Sequence, residues 1–205
     1  MGHVFAHLIG YGVQLLPYWP YRFVRPVEDD PTTVCVVRLT PDGERSAQIN
    51  VQDPSSVEGI VDVTVEPSPD GWRVETTLFS IPWPEGFDVD SPTAEGDRKP
   101  FYLLRDDGAA IFPQGPELNE RIPPPGGWAA AGQTIVSRGT SDDIEIIELA
   151  YELDGESWWQ CHWVIPWSTS RMLVFSAQAP DHAVERTRHA AREVVWGVLP
   201  TVRRA

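Results

Sequence analysis

Prolines and glycines interrupt this chain at short intervals along most of its length. The 205 residues include 20 prolines and 16 glycines. Proline cannot continue the interior of a helix, and both residue types favour turns. The sequence therefore predicts short strands joined by loops, in a chain long enough to bury a substantial core.

Alternation of apolar and polar residues locates most of the strands. A β-branched run over 32–39 is followed by a turn and by a return strand over 46–51. The Asp107-Gly108 dipeptide predicts a hairpin, because Asp-Gly suits a two-residue turn. A proline-rich loop with at most one helical turn is predicted over 113–128. The remaining predicted strands cover 57–67, 72–81, 132–138, 144–153 and 171–180.

One helix is predicted, close to the C-terminus. Asp181 is its expected cap and Gly197 its expected end. Arg186 and Arg192 fall on its polar side. The apolar side carries residues at helical spacing, which indicates packing on a sheet: Val184, Thr187, Ala191, Val194, Val195 and Val198.

Apolar residues change parity within the predicted strand 144–153. Ile144 and Ile146 occupy even positions, whereas Ile147 and Leu149 occupy odd ones. Since alternate residues of a strand face opposite sides of the sheet, the change predicts a β-bulge near residues 146–147.

The stretch 151–167 holds four of the nine tryptophans and predicts a hairpin around Asp154-Gly155. A two-residue loop would place Ile147 opposite His162 and Glu148 opposite Cys161. An odd-length loop would instead gather the odd-numbered apolar residues of both strands on one face. We prefer the odd-length loop, because it buries one continuous apolar face.

The preferred register predicts a candidate binding face that carries Trp158, Gln160, His162 and Glu148. Tryptophan is favoured at binding hot spots. The alternative is that the N-terminal aromatic segment or a helix covers Trp158. In the preferred register Cys161 becomes a core residue. Its neighbour His162 lies on the opposite face, so the two cannot act as nucleophile and base.

The charge balance limits the partners. The formal net charge is −14 and the sequence pI is about 4.6. Nucleic acids and anionic membranes are bound mainly through Lys and Arg, so neither is expected as a partner. Another protein is the expected partner, and the sequence leaves the oligomeric state open.

The apolar N-terminus, MGHVFAHLIGYGVQLLPYWP, lacks a basic leading region and a small-residue cleavage site. We expect a buried strand or short helix here, rather than a secretory signal or a membrane span. Cytoplasmic residence is the corresponding expectation.

No motif in the sequence points to catalysis. GxSxG, Walker, GxGxxG and HExxH patterns are absent from it. The acid pairs lie in predicted turns, which aspartate favours for local hydrogen bonding. We therefore expect no catalytic residues, no metal site and no cofactor. Cys35 and Cys161 are expected to be free thiols.

Three stretches resemble the PsbP/Mog1-like group, which includes DcrB-type proteins and type VI secretion effector-associated chaperones. They are FSIPWPEGF, ELAYELDGESWWQCHWVIP and RMLVFSAQAPDHAVERTRHAAREVVWGV, and the resemblance covers residues 72–199. It implies an α+β fold, an antiparallel sheet with a C-terminal helix packed on it, and a protein-binding role without catalysis. The chain departs from the group at 113–133, where such domains carry a helix.

The predicted organisation is a β-rich N-terminal segment, residues 1–70, that shares its core with a PsbP/Mog1-like domain, residues 71–205. The favoured function is a protein-binding accessory protein of chaperone- or immunity-like type. A carrier of small apolar ligands and an enzyme with an unrecognised site are the alternatives.

Overall fold

The computed structural model describes residues 4–8, 13–17, 21–24, 33–40, 42–50, 60–65, 72–76, 78–92, 94, 96–97 and 99–201. Within these ranges the chain forms sixteen strands, two short 3-10 helices and one α-helix. The fold is α+β: mostly antiparallel sheet with one C-terminal helix packed on it.

The first nine strands precede residue 91. They are β1 (Val4–Leu8), β2 (Val13–Pro17), β3 (Tyr21–Val24), β4 (Thr33–Thr40), β5 (Gly43–Asn50), β6 (Ile60–Val65), β7 (Trp72–Thr76), β8 (Phe79–Pro82) and β9 (Asp88–Asp90).

The later elements include both 3-10 helices, Asn119–Arg121 and Asp181–Ala183. The strands and the α-helix are β10 (Tyr102–Leu104), β11 (Ala110–Leu118), β12 (Thr134–Ser141), β13 (Ile144–Leu153), β14 (Glu156–Ser168), β15 (Arg171–Pro180), α1 (Val184–Trp196) and β16 (Leu199–Pro200).

The chain divides into two compact units. The first comprises Met1–Leu103 and Trp196–Ala205, and the second comprises Leu104–Val195. The domain boundary predicted at residues 70/71 lies outside the described residues and stays a prediction.

In the first unit, six strands pair in the order β16-β8-β7-β1-β2-β6, and four more in the order β9-β3-β4-β5. The predicted hairpin of residues 32–39 and 46–51 is present as β4 and β5. Large apolar side chains form the core of this unit, each at most 1% exposed: Phe23, Phe79, Ile81, Trp83, Phe87, Phe101 and Leu103.

The predicted strand over 72–81 is wrong in one respect, because it is a hairpin of β7 and β8. Thr76 explains the reversal. Its Oγ1 accepts hydrogen bonds from the backbone N–H groups of Leu78 (3.2 Å) and Phe79 (3.0 Å), which closes a turn that apolar alternation does not reveal.

In the second unit, five antiparallel strands pair in the order β12-β13-β14-β15-β11. The loop predicted from residue 113 begins later than expected, because β11 continues to Leu118 along β15. An irregularity between Gln114 and Glu117 accommodates Pro116, and prolines in sheets are found at such positions.

The hairpin of β13 and β14 has the register that we did not prefer. Glu148 lies opposite Cys161, and Ile147 lies opposite His162. Asp154 and Gly155 form a two-residue loop with φ of 53° and 82°, the backbone signs of a type I′ turn. The Asp-Gly signal was therefore correct, and the preference for an odd-length loop was wrong.

The predicted bulge at residues 146–147 is also absent from β13, whose pairing with β14 runs without a shift from Glu145 to Leu153. The strand is instead covered on both faces. Glu148, which shares a face with Ile144 and Ile146, contacts α1 through Arg188. Ile147 and Leu149 pack on the opposite side. The change of parity therefore reflects apolar residues on both covered faces of a regular strand, and not a bulge.

The predicted helix is confirmed as α1, with Thr187, Ala190, Ala191, Val194 and Val195 buried. It ends at Trp196, directly before Gly197, as expected. Asp181 does not cap it, because residues 181–183 form a 3-10 turn that leads into the helix. The turn itself begins after Pro180 and has no side-chain cap.

Candidate functional site

The four predicted site residues lie on two faces of the sheet. Trp158, Gln160 and His162 share one face with Ile147 and are separated from Glu148, which faces α1. The prediction that Glu148 shares a face with the other three is therefore wrong, because the observed register places it on the opposite face. The binding role predicted for them stays a prediction.

His162 is buried, with 8% of its surface exposed. Its Nδ1 lies 2.8 Å from the Oγ of Ser176, and its ring lies 4.8 Å from that of Trp128. Burial lowers the pKa of His162 to about 4, so the imidazole is neutral near pH 7. A Ser–His contact suggests a nucleophile and a base, but Ser176 has 0% exposure. Substrate cannot reach it, and the pair satisfies polar groups inside the core.

The segment 119–133 covers this face of the sheet. Its Ile122, Trp128 and Ala129 pack against the cluster that contains Ile147 and Leu149. Within the same unit, Gln160 accepts a hydrogen bond of 2.7 Å from Gln133. This segment thus supplies an irregular cover for one face of the sheet.

Trp158 is half-buried and stacks on Tyr151, with the ring centroids 6.1 Å apart. Leu153, on the same face near the hairpin end, is 47% exposed. Of the three residues predicted on this face, Trp158 and Gln160 are partly exposed, whereas His162 belongs to the core.

Both cysteines are free thiols. Cys161 has 0% exposure, and burial raises the pKa of its thiol far above the ordinary value. The thiol therefore stays protonated and unreactive, because the thiolate is the nucleophilic form. Its predicted place in the core is confirmed.

A cleft of about 190 Å³ lies on the helix side of the sheet, between α1 and the strands β12 to β14. Arg188 and Arg192, one turn apart on α1, form its helix wall. Ile146 and Trp163 contribute an apolar part of the lining, and both belong to the helix-facing side of the sheet.

Arg188 is held in place by several contacts. It donates to Oε2 of Glu148 at 3.3 Å and to Oε1 of Glu185 at 2.5 Å, and it lies 5.1 Å from the centre of the Trp159 ring. The same Oε2 of Glu148 accepts a 3.2 Å hydrogen bond from Trp159 Nε1. The negative charge of Glu148 is therefore compensated within the cleft.

Arg192 differs from Arg188 because it is exposed and forms no ion pair with any residue in the described part of the chain. Ser137 adds a hydroxyl group from β12, on the same face of the strand as Gly139. A Cβ at Gly139 would meet nothing within 4 Å. The cleft thus combines an available cation, a hydroxyl group and open space beside a strand.

Sequence analysis missed Arg188, Arg192 and Gly139 as parts of a site. Two signals were available. Arginines four residues apart lie on the same side of a helix, and an isolated glycine within a strand often marks a place where another group approaches the backbone. Neither signal identifies which strand the helix packs beside.

Across the described residues, no group of three or more His, Cys, Asp or Glu side chains is arranged to hold a metal ion. No helix in those ranges has the length and apolar character to cross a membrane.

Comparison with known proteins assigns no family to the chain. No protein-family model matches the chain. No curated protein matches it either. Among solved structures, LpqN of Mycobacterium tuberculosis, described as involved in cell envelope biogenesis, matches with a TM-score of 0.39 and 17% identity. The match covers 60% of this chain and 83% of that one. It is a loose likeness from which we draw neither family nor function.

Proposed function

We propose that the protein is a non-catalytic accessory protein, of chaperone- or immunity-like type, that binds an extended segment of a partner protein along the free edge of β12. The partner segment adds as a further antiparallel or parallel strand, so that its backbone supplies affinity and its side chains supply specificity.

The accessibility of β12 is the observation that carries this proposal. The strand ends the order of its sheet, and in the described ranges it pairs with β13 alone. Seven of its eight residues are exposed. Val136, which lies where the pairing with β13 shifts register, is 58% exposed. An edge strand presents backbone N–H and C=O groups that an added strand can pair with.

The charge next to this edge favours an acidic segment. From Asp181 onward the sequence has five arginines against three acidic residues, in a chain whose net charge is −14. Arg188 and Arg192 of that region face the cleft beside β12. An acidic partner would therefore meet its complement here and be repelled elsewhere on the surface.

The alternative functions have less support. The Ser176–His162 pair is buried, and Cys161 is a protonated core thiol, so neither suits an enzyme. Ile146 and Trp163 form an apolar part of the cleft beside α1, but the two arginines and Glu148 that line the rest do not suit an apolar ligand. The resemblance to PsbP/Mog1-like proteins, whose members mostly bind proteins, agrees with the proposal.

Selection of displayed random octapeptides on the immobilised protein tests this function. We expect enriched peptides that slow backbone hydrogen exchange in Thr134–Ser141 and contain acidic residues. Val136→Pro should weaken their binding about tenfold, because proline is tolerated at an edge-strand bulge but cannot donate to an added strand.

The matched variant is Val136→Thr, which keeps both the N–H group and the β-branched side chain and should bind within about twofold of wild type. Circular dichroism confirms that both variants are folded. The proposal fails if no peptide is enriched, or if enriched peptides leave exchange in β12 unchanged.

A further inference from the structure

We infer that the cleft between α1 and β12 is a carboxylate-binding site, occupied by a Glu or Asp side chain of the partner segment that adds to β12. The inference rests on the proposed function, because the segment brings the carboxylate to the cleft. It goes further by naming the group that the site recognises and the residues that recognise it.

The cleft lies beside the free edge of β12. On β12, Ser137 lies opposite Glu148 and Gly139 lies opposite Ile146, on the side of the sheet that faces α1. A strand added beside β12 would continue this row, since side chains directly opposite in paired strands are about 4.5–5.5 Å apart. Alternate side chains of that strand would therefore lie next to the cleft.

The side chains that line the cleft carry a net positive charge. Arg188 and Arg192 contribute two positive charges and Glu148 one negative charge. Glu148 already accepts hydrogen bonds from Arg188 and Trp159. Arg192 has no ion-pair partner within the described ranges, and it is the cation available to a ligand. A carboxylate fits this excess, because arginine binds carboxylates through two parallel N–H groups.

Arg188 supplies a further indication. Its Nε is buried and has no hydrogen-bond partner among the described residues. A buried donor without an acceptor is uncommon and costly. A small shift of the guanidinium toward an incoming carboxylate would supply the missing acceptor.

Gly139 leaves open space where β12 borders the cleft. The absence of a Cβ leaves room beside the hydroxyl group of Ser137, which can donate to the second carboxylate oxygen. The cleft volume of about 190 Å³ suits one short acidic side chain. The acidic side chain would therefore enter the cleft through the space beside Gly139.

Paired peptides test the site. The probes are an octapeptide enriched in the selection above, with its glutamate intact, and the same peptide with that glutamate replaced by glutamine. We expect the glutamate peptide to bind wild type about tenfold more tightly, as charge-assisted hydrogen bonds are stronger than neutral ones. Arg192→Gln should reduce this ratio to about one.

Gly139→Val should do the same by filling the opening, without strain in a strand. The control is Arg186→Gln, which removes an exposed arginine of α1 outside the cleft and should keep the ratio near ten. Equal losses in Arg186→Gln and Arg192→Gln would overturn the inference, because they would indicate general attraction to the helix.

Two outcomes separate the inference from the proposed function. Peptides that protect β12 but show no preference for glutamate would overturn the carboxylate site and leave strand addition in place. Acetate that shifts the NMR signals of Ser137–Thr140 in wild type but not in Arg192→Gln, with no peptide bound at β12, would support the carboxylate site and overturn the proposed function.

Discussion

Replacement of Trp163 by alanine is expected to lower the free energy of unfolding by about 3–5 kcal/mol, the usual cost of truncating a buried tryptophan. Trp163 is 1% exposed and lies between Ile146 of β13 and Phe175 of β15. Its ring meets Trp159 edge to face at 6.3 Å. The interlocked side chains on this face cannot close the void, so the loss of packing adds to the loss of burial. Urea unfolding followed by circular dichroism measures the change.

The matched control is Trp158→Ala, on the same strand but on the opposite face. Trp158 is half-buried and stacks mainly on Tyr151. We expect a loss of about 1–2 kcal/mol, because a smaller apolar area leaves water on folding. Equal costs for the two substitutions would contradict the placement of Trp163 in the core and of Trp158 at a partly exposed position.

The C-terminal helix was predictable because its signal is local and repeated. Apolar residues at helical spacing between Val184 and Val195 can be buried together only in a helix, and Gly197 ends it. The hairpin of β4 and β5 was predictable for a similar reason, since a β-branched run, a turn and a return strand are adjacent in sequence.

The register of β13 and β14 was not predicted, because it depends on what covers the sheet. Apolar alternation decides between two registers only when one face meets solvent. Here α1 covers one face and the segment 119–133 covers the other. Both registers then bury apolar residues, and the local turn chemistry of Asp154-Gly155 becomes the better guide. The proline-rich composition of the covering segment gave no indication that Trp128 lies against His162.

The candidate site was only partly predictable for the same physical reason. Glu148 was singled out from its strand position, and it does line the cleft. Its neighbours there are Arg188, Arg192 and Gly139, which come from a helix and from another strand. Their proximity depends on where α1 packs across the sheet, and sequence spacing within one element carries no information on that.

The stability of the protein is expected to fall as the pH decreases from about 6.5 to about 4, partly through His162. Burial lowers the pKa of this imidazole to about 4 in the folded protein, against about 6.5 in the unfolded chain. Between these values the unfolded chain binds a proton at His162 that the folded protein does not, so acidification stabilises the unfolded state. The difference amounts to about 3 kcal/mol when the pH has fallen to 4.

His162→Gln isolates this contribution, because glutamine can still form a hydrogen bond with Ser176 but does not titrate. Carboxylates also titrate at the acidic end, so the informative quantity is the difference in unfolding free energy between variant and wild type, measured in urea at intervals from pH 7 to pH 4.5. Relative to wild type, the variant should gain stability steadily as the pH falls. A flat difference for His162→Gln would show that the ring is protonated equally in both states, and that Trp128 and the segment 119–133 do not exclude water from it.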